Sequence, residues 1–187
     1  MTGMHGPLGP TGLPGDPRGK DLVDRILRVD HAGEYGARRI YEGQLAVLGK
    51  SAGAPTLKEM AAQEGQHLRA FERLLVERKT RPTALLPLWH LTGYAMGAAT
   101  ALLGESAAMA CTVAVEEVID EHYRSQIAAL QAEEPALVET LERFRKDEVA
   151  HRDTALAAGA ENAPGYEALT AAVKTASRVA IWLSERI

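Results

Sequence analysis

Glu64-Gly65-Gln66-His67 and, 84 residues later, Glu148-Val149-Ala150-His151 are two copies of one pattern, a glutamate followed three positions on by a histidine. In an α-helix residues three apart are separated by about 60° around the axis and one turn along it, so each copy presents an oxygen and a nitrogen donor in one direction. Each is preceded by a segment with its own glutamate, Glu34 and Glu116, and these segments match when laid over one another. Tyr41 falls on Tyr123, Gln44 on Gln126, Ala46 on Ala128 and Leu48 on Leu130, all at an offset of 82. A two-residue difference in loop length reconciles the two offsets. The repeat predicts two helical hairpins related by pseudo-twofold symmetry.

Outward from these motifs the chain reads as helices. From Asp21 to about Leu48 no proline intervenes, and Leu22, Val23, Ile26, Val29, Ile40, Leu45 and Leu48 recur at three- and four-residue steps. Gly49, Ser51, Gly53 and Pro55 interrupt, and Thr56 with Glu59 is expected to form a capping box for a second helix reaching about Arg78. A nearly uncharged stretch, 84–103, follows. Gly104 separates it from a helix over about Glu105 to Leu130. Pro135 opens another that Gly159 ends near Ala158, and Pro164 opens a last helix to the C-terminus. The prediction is an all-α fold: four long helices, an additional apolar segment and a C-terminal helix.

Composition agrees with one domain of this kind. At 187 residues and 46% hydrophobic, the chain buries one core, and 5% aromatic content favours packed helices over a sheet. A net charge of −4 gives no basic footprint for nucleic acid. Cys111, the single cysteine, excludes an intrachain disulfide and any cysteine-built zinc or iron–sulfur site, and points to a reducing compartment. Residues 1–20 carry neither a secretory signal nor a transit-peptide pattern. Gly3, Gly6, Gly9, Gly12 and Gly15 recur every third residue, too few triplets for a collagen-like helix, so 1–20 is expected to be a disordered tail before a domain spanning 21–187.

The motifs together offer four carboxylates, Glu34, Glu64, Glu116 and Glu148, and two imidazoles, His67 and His151. Two dications close together in a buried site repel strongly, and bridging carboxylates offset that repulsion. Hard oxygen donors with two nitrogens suit iron or manganese, whereas zinc takes fewer ligands and magnesium rarely takes histidines. The set resembles the known ligand pattern of ferritin-like di-iron and di-manganese bundles, and iron is the expected metal. Glu117 lies about 100° around the helix from Glu116 and is given no metal role. Asp30, one turn before Glu34, and Asp147, one turn before His151, are placed to accept the imidazole N–H that a metal-bound histidine leaves free. Tyr41 and Tyr123, two turns beyond the single glutamates, are within reach of a bound substrate, Tyr123 being the catalytic candidate. His122 beside it, off the Glu116 stripe, is the other catalytic candidate, contacting a substrate or supporting the residues that do. His31 and His90 are assigned none.

Longer words carry a closer resemblance. Arg28-Val-Asp-His-Ala-Gly-Glu-Tyr-Gly-Ala37 with Ile40-Tyr-Glu-Gly-Gln44, then Gln63-Glu-Gly-Gln-His67, Arg81-Pro-Thr-Ala-Leu-Leu-Pro-Leu-Trp89, Ala101-Leu-Leu-Gly104, Ala110-Cys-Thr-Val-Ala-Val-Glu-Glu117 and Leu183-Ser-Glu-Arg186 resemble the demethoxyubiquinone hydroxylase family over residues 21–187. Trp182 stands where that family commonly has a tyrosine, and the loop between Glu116 and Glu148 is short. The resemblance implies a di-iron monooxygenase that hydroxylates the ring of a polyprenylated 3-demethoxyubiquinol, with all six ligands present. It implies electrons from NADH, directly or through the quinone, and no Gly-rich dinucleotide fingerprint is present.

A substrate with an isoprenoid tail resides in the bilayer. The apolar stretch 84–103 is nominally long enough to span one, yet its prolines, glycines and polar residues favour lying in the interface. Peripheral attachment is therefore expected, on the cytoplasmic face of a bacterial plasma membrane or at the inner mitochondrial membrane. A homo-oligomer and partner proteins of ubiquinone biosynthesis are expected as well. The rival readings are a ferritin-like iron-oxidising or peroxide-scavenging protein and a non-enzymatic membrane-associated helical protein. A scavenger of the rubrerythrin type needs paired cysteines that this chain lacks.

Overall fold

The computed structural model describes residues 17–130 and 133–187. Most of the expected N-terminal tail, residues 1–16, lies outside them. Among the described residues there are six α-helices in order: α1 Lys20–Leu48, α2 Ala54–Arg78, α3 Leu86–Leu102, α4 Glu105–Leu130, α5 Pro135–Ala157 and α6 Tyr166–Ser184, with a 3₁₀ turn at Ala160–Asn162. No strand occurs among the described residues. α1, α2, α4 and α5 form the ferritin-like bundle; α3 lies along α1, and α6 along α4.

The helix boundaries agree with the sequence reading within a few residues, and the differences have local causes. The expected Thr56–Glu59 capping box does not form: α2 starts at Ala54, Gly53 is its N-cap without a side-chain bond, and Pro55 sits in the first turn. Proline there has no N–H to satisfy and a φ already suited to a helix, so the start moves two residues upstream of the threonine. α2 ends on Lys79 in the left-handed conformation, with the Thr80 N–H bonded to the Leu75 carbonyl. Gly165, at φ 66°, rather than Pro164, stands as the N-cap of α6.

Bundle packing has two apolar ends. One is built from Leu27, Phe71, Tyr123, Leu130, Leu141 and Phe144, the other from Tyr41, Leu57, Met60, Met109, Val113 and Ala155. The polar ligand motifs lie between them. Outside the bundle α3 approaches α1 so closely that backbones touch. A Cβ on Gly97 would stand 2.0 Å from the Ile40 carbonyl oxygen, and one on Gly43 2.2 Å from that of Tyr94. Only glycine permits that approach.

Candidate metal centre

Glu34 of α1, Glu64 and His67 of α2, Glu116 of α4, and Glu148 and His151 of α5 converge at the middle of the bundle, all of them buried. Their donor atoms fall into two overlapping groups, each within 4.8 Å: Glu34, Glu64, His67 and Glu148 in one, Glu64, Glu116, Glu148 and His151 in the other. Glu64 and Glu148 belong to both, so each could be shared between two ions. His67 Nδ1 is 3.0 Å from Glu148 Oε1 and 3.4 Å from Glu34 Oε2. His151 Nδ1 is 3.0 Å from Glu64 Oε1 and 3.3 Å from Glu148 Oε2.

These contacts are close but lack the direction of hydrogen bonds. Glu34 Oε2, both oxygens of Glu64 and of Glu148, Glu116 Oε2 and the Nδ1 atoms of both histidines are buried without a hydrogen-bond partner. Native interiors rarely tolerate so many orphaned polar atoms in one place unless a cation unites them. Electrostatics gives the same answer. Burial, then the Glu148 charge, pushes the carboxyls of Glu64 and Glu116 well above the usual range. On Glu148 burial is outweighed by His151 and His67, and its carboxyl falls to about 2. On both imidazoles burial opposes charging, yet the facing carboxylates, Glu148 foremost, lift them to about 10. The protein alone thus draws protons in to balance carboxylate charge, and four carboxylates with two imidazoles fit a pair of iron or manganese ions that would replace those protons.

Residues around the donors obey the repeat. The Tyr41 hydroxyl donates to Glu116 Oε1 at 2.9 Å, and Tyr123 donates to Glu34 Oε1, each reaching from one hairpin to the single glutamate of the other. Burial, then the neighbouring glutamate charge, raises both phenols well above their usual range and keeps them neutral donors. Gln44 Nε2 donates to the Ala108 carbonyl at 3.0 Å and approaches Thr112, while Gln126 Nε2 donates to Asp30 Oδ1 at 2.7 Å. Asp30 and Thr112 themselves stand at the offset of 82.

Several candidates find other places than their helix positions suggested. Asp147 does meet an imidazole nitrogen, but that of His67 on α2, with Oδ2 3.1 Å from Nε2. His151 Nε2 instead meets Gln63 Oε1 at 3.1 Å, a residue to which the sequence reading gave no role. Its signal was its position, 84 before Asp147. Asp30 is held by Gln126 and lies 3.7 Å from His122 Nε2. His122 packs on Gln126, outside both donor groups, and burial lowers its imidazole to about 4. Glu117 faces away and pairs with Lys174 of α6. His90 accepts or donates at Nδ1 with the Tyr35 hydroxyl, and His31 is buried in α1.

Behind the centre a cavity of about 330 Å³ lies between α1, α3, α4 and α6. Its lining is apolar, with Val29, Ile40, Met96, Val115, Ala180 and Leu183 among it. Ala37 and Ile119, also in the lining, each stand three residues after a donor glutamate, Glu34 and Glu116. At its edge Trp89 Nε1 donates to Ser184 Oγ at 3.0 Å and ties α3 to α6. The outer surfaces of α3 and α6 expose Leu88, Leu91, Leu102, Val179 and Trp182. Arg186 covers the Trp182 ring at 4.3 Å. No helix among the described residues is long and apolar enough to cross a membrane.

Comparison with known proteins agrees with this architecture. The chain is 54% identical over 176 residues to the 3-demethoxyubiquinol 3-hydroxylase of Rhodospirillum rubrum, covering 94% of this chain and 83% of that protein. It is 49% identical over 181 residues to the human mitochondrial NADPH-dependent 3-demethoxyubiquinone 3-hydroxylase, covering 95% and 83%. To the mitochondrial 5-demethoxyubiquinone hydroxylase of Saccharomyces cerevisiae it is 42% identical over 183 residues, covering 89% and 78%. A family model described as ubiquinone biosynthesis protein COQ7 matches residues 21–184. With its helical bundle and its buried Glu/His groups inside that span, the chain belongs to the COQ7 family of ubiquinone biosynthesis.

Proposed function

We propose that this chain is an oxygen-dependent 3-demethoxyubiquinol hydroxylase in which Glu34, Glu64, His67, Glu116, Glu148 and His151 hold two iron ions. The observation that carries this reading is the overlap of two buried donor groups at Glu64 and Glu148 in a chain of this family. A bound di-iron pair supplies activation of oxygen for transfer of one atom to the electron-rich ring.

The chain's own residues prepare that step. His67 and His151 present Nδ1 inward because their Nε2 atoms are engaged by Asp147 and Gln63. Tyr41 and Tyr123 fix one oxygen of Glu116 and of Glu34, which leaves the other oxygen of each free to bind. The apolar cavity between α1, α3 and α6 is the place for a quinol ring and the first isoprene units, since it offers dispersion contact and excludes water. Leu88, Leu91, Leu102 and Trp182 form the surface that rests on the bilayer, so the substrate enters from lipid. On the α4 side Val115 and Ile119 line this cavity, whereas Tyr123 acts through its bond to Glu34 and His122 packs on Gln126, neither being among the lining residues. Two electrons come from a nicotinamide donor: NADH is the donor expected here, and the human relative's name specifies NADPH.

Complementation of a strain blocked at this hydroxylation tests the assignment. The intact chain is expected to restore the quinone, and Glu148→Ala to leave the demethoxy precursor in place. Precursor accumulating beside the intact, expressed chain defeats the substrate assignment.

A further inference from the structure

The repeat gives the two imidazoles corresponding places in the two hairpins, but what stands behind them differs. Gln63 and Asp147 occupy the same position of the two repeats, immediately before Glu64 and Glu148. Each crosses to the other helix: Asp147 Oδ2 meets His67 Nε2 at 3.1 Å, and Gln63 Oε1 meets His151 Nε2 at 3.1 Å. One histidine therefore leans on a carboxylate and the other on a neutral amide. Aromatic surroundings differ too. His67 stacks on Phe144 with ring centroids 4.1 Å apart, whereas His151 meets Tyr41 edge-on at 6.3 Å.

The remaining donors do not account for a difference. Each group contains the shared Glu64 and Glu148 plus one glutamate of its own, and that glutamate is held in both cases by a tyrosine from the opposite hairpin. A carboxylate accepting from an imidazole N–H draws the proton toward itself and raises electron density on the other nitrogen, more than an amide oxygen does. Asp147 keeps 34% of its side-chain exposure, so water moderates its charge without removing it. The stacked Phe144 holds the His67 ring in the plane that serves this bond.

We propose that the two metal positions are inequivalent, the one at His67 binding its ion more tightly and the one at His151 filling second and emptying first, with Asp147 and Gln63 as the positioning residues that set the difference. This rests on the two-metal reading above. Loading then proceeds in order, and loss of metal under limiting supply leaves a half-filled centre at the His67 side.

Anaerobic titration of the metal-free full-length chain with Mn²⁺, with free ion followed by its EPR signal, tests this without turnover. Two steps are expected, separated by about tenfold or more in Kd. Asp147→Asn, which keeps shape and removes charge, is expected to weaken the tighter step by about tenfold and leave the other in place. Gln63→Glu is expected to strengthen the weaker step and close the gap from the opposite side. Two ions binding the wild-type chain with one affinity, or Asp147→Asn weakening both steps alike, overturns the inference while leaving the two-metal reading intact. A wild-type chain that binds fewer than two Mn²⁺ defeats that reading and the inference with it.

Discussion

The Tyr41 hydroxyl reaches from α1 across the bundle to Glu116 of α4 and donates to its Oε1 at 2.9 Å, both residues being almost fully buried. An oxygen fixed in this way cannot swing, so the opposite oxygen is aimed at the centre. Tyr41→Phe leaves the acceptor buried and unpaired, which costs about 1–3 kcal/mol. Urea denaturation of the metal-free protein is expected to show a loss of this size with an unchanged m-value. Stability equal to that of wild type contradicts a structural hydrogen bond there.

Sharing of Glu148 between both donor groups separates it from Glu116, which belongs to one. Glu148→Ala is expected to reduce iron after anaerobic reconstitution from about two per chain to nearly none, whereas Glu116→Ala retains about one, since bridging ligands serve both ions. Elemental analysis against protein concentration reads this directly. Equal losses in the two variants are incompatible with the shared role.

Contact between α1 and α3 depends on missing Cβ atoms. Gly97→Ala places a methyl 2.0 Å from the Ile40 carbonyl oxygen, and backbone on both sides leaves nothing flexible to yield. Destabilisation of about 1–3 kcal/mol is expected, the usual cost of overpacking. Thermal unfolding monitored by circular dichroism gives the comparison, with Ala98→Ser as the substitution one residue away. No change in Tm for Gly97→Ala means that α3 does not pack as described.

His122 brings a pH dependence. Burial, then the Arg25 charge, lowers its imidazole to about 4, from an ordinary value near 6.5; Asp30, itself pushed well up by burial, and the Gln126 amide face it. A lowered histidine pKa means that the unfolded chain binds the proton first. The stability it contributes is complete above pH of about 6.5 and is lost progressively as pH falls to about 4, a total of up to about 3 kcal/mol. Between those limits His122→Gln is expected to flatten the acid limb of the stability curve. An acid limb of the same slope in both proteins removes His122 from this account.

The exposed apolar face of α3 makes a prediction about lipid. Leu91 and Leu102 are 67% and 75% exposed, so Leu91→Glu with Leu102→Glu perturbs little of the packed core. Each leucine transferred from water to lipid contributes about 1.5–3 kcal/mol. Flotation with anionic liposomes is expected to fall at least about tenfold for the double variant while its Tm stays unchanged. Equal flotation of variant and wild type rules out this face as the bilayer contact.

By itself the sequence determined the four bundle helices, the C-terminal helix, the hairpin repeat and the six Glu and His side chains that meet at the middle of the bundle. Spacing of three along a helix fixes which side chains share a face, whatever lies opposite, and the repeat marked the pairs that belong together. What each side chain meets on another helix was beyond local spacing. Asp147 stands one turn before His151 on α5 yet serves His67, and Gln63 takes the place beside His151. Tyr41 and Tyr123 face inward, as their spacing from the glutamates indicated, but each serves the glutamate of the other hairpin. Rotation and register of one helix against its neighbour decide such pairings, and these come from packing of the whole core. The same holds for α3: residues 84–103 are legible as an apolar segment, but only the tertiary structure makes a helix of Leu86–Leu102, brings Gly97 and Gly43 into backbone contact with their neighbours and leaves the leucines outside.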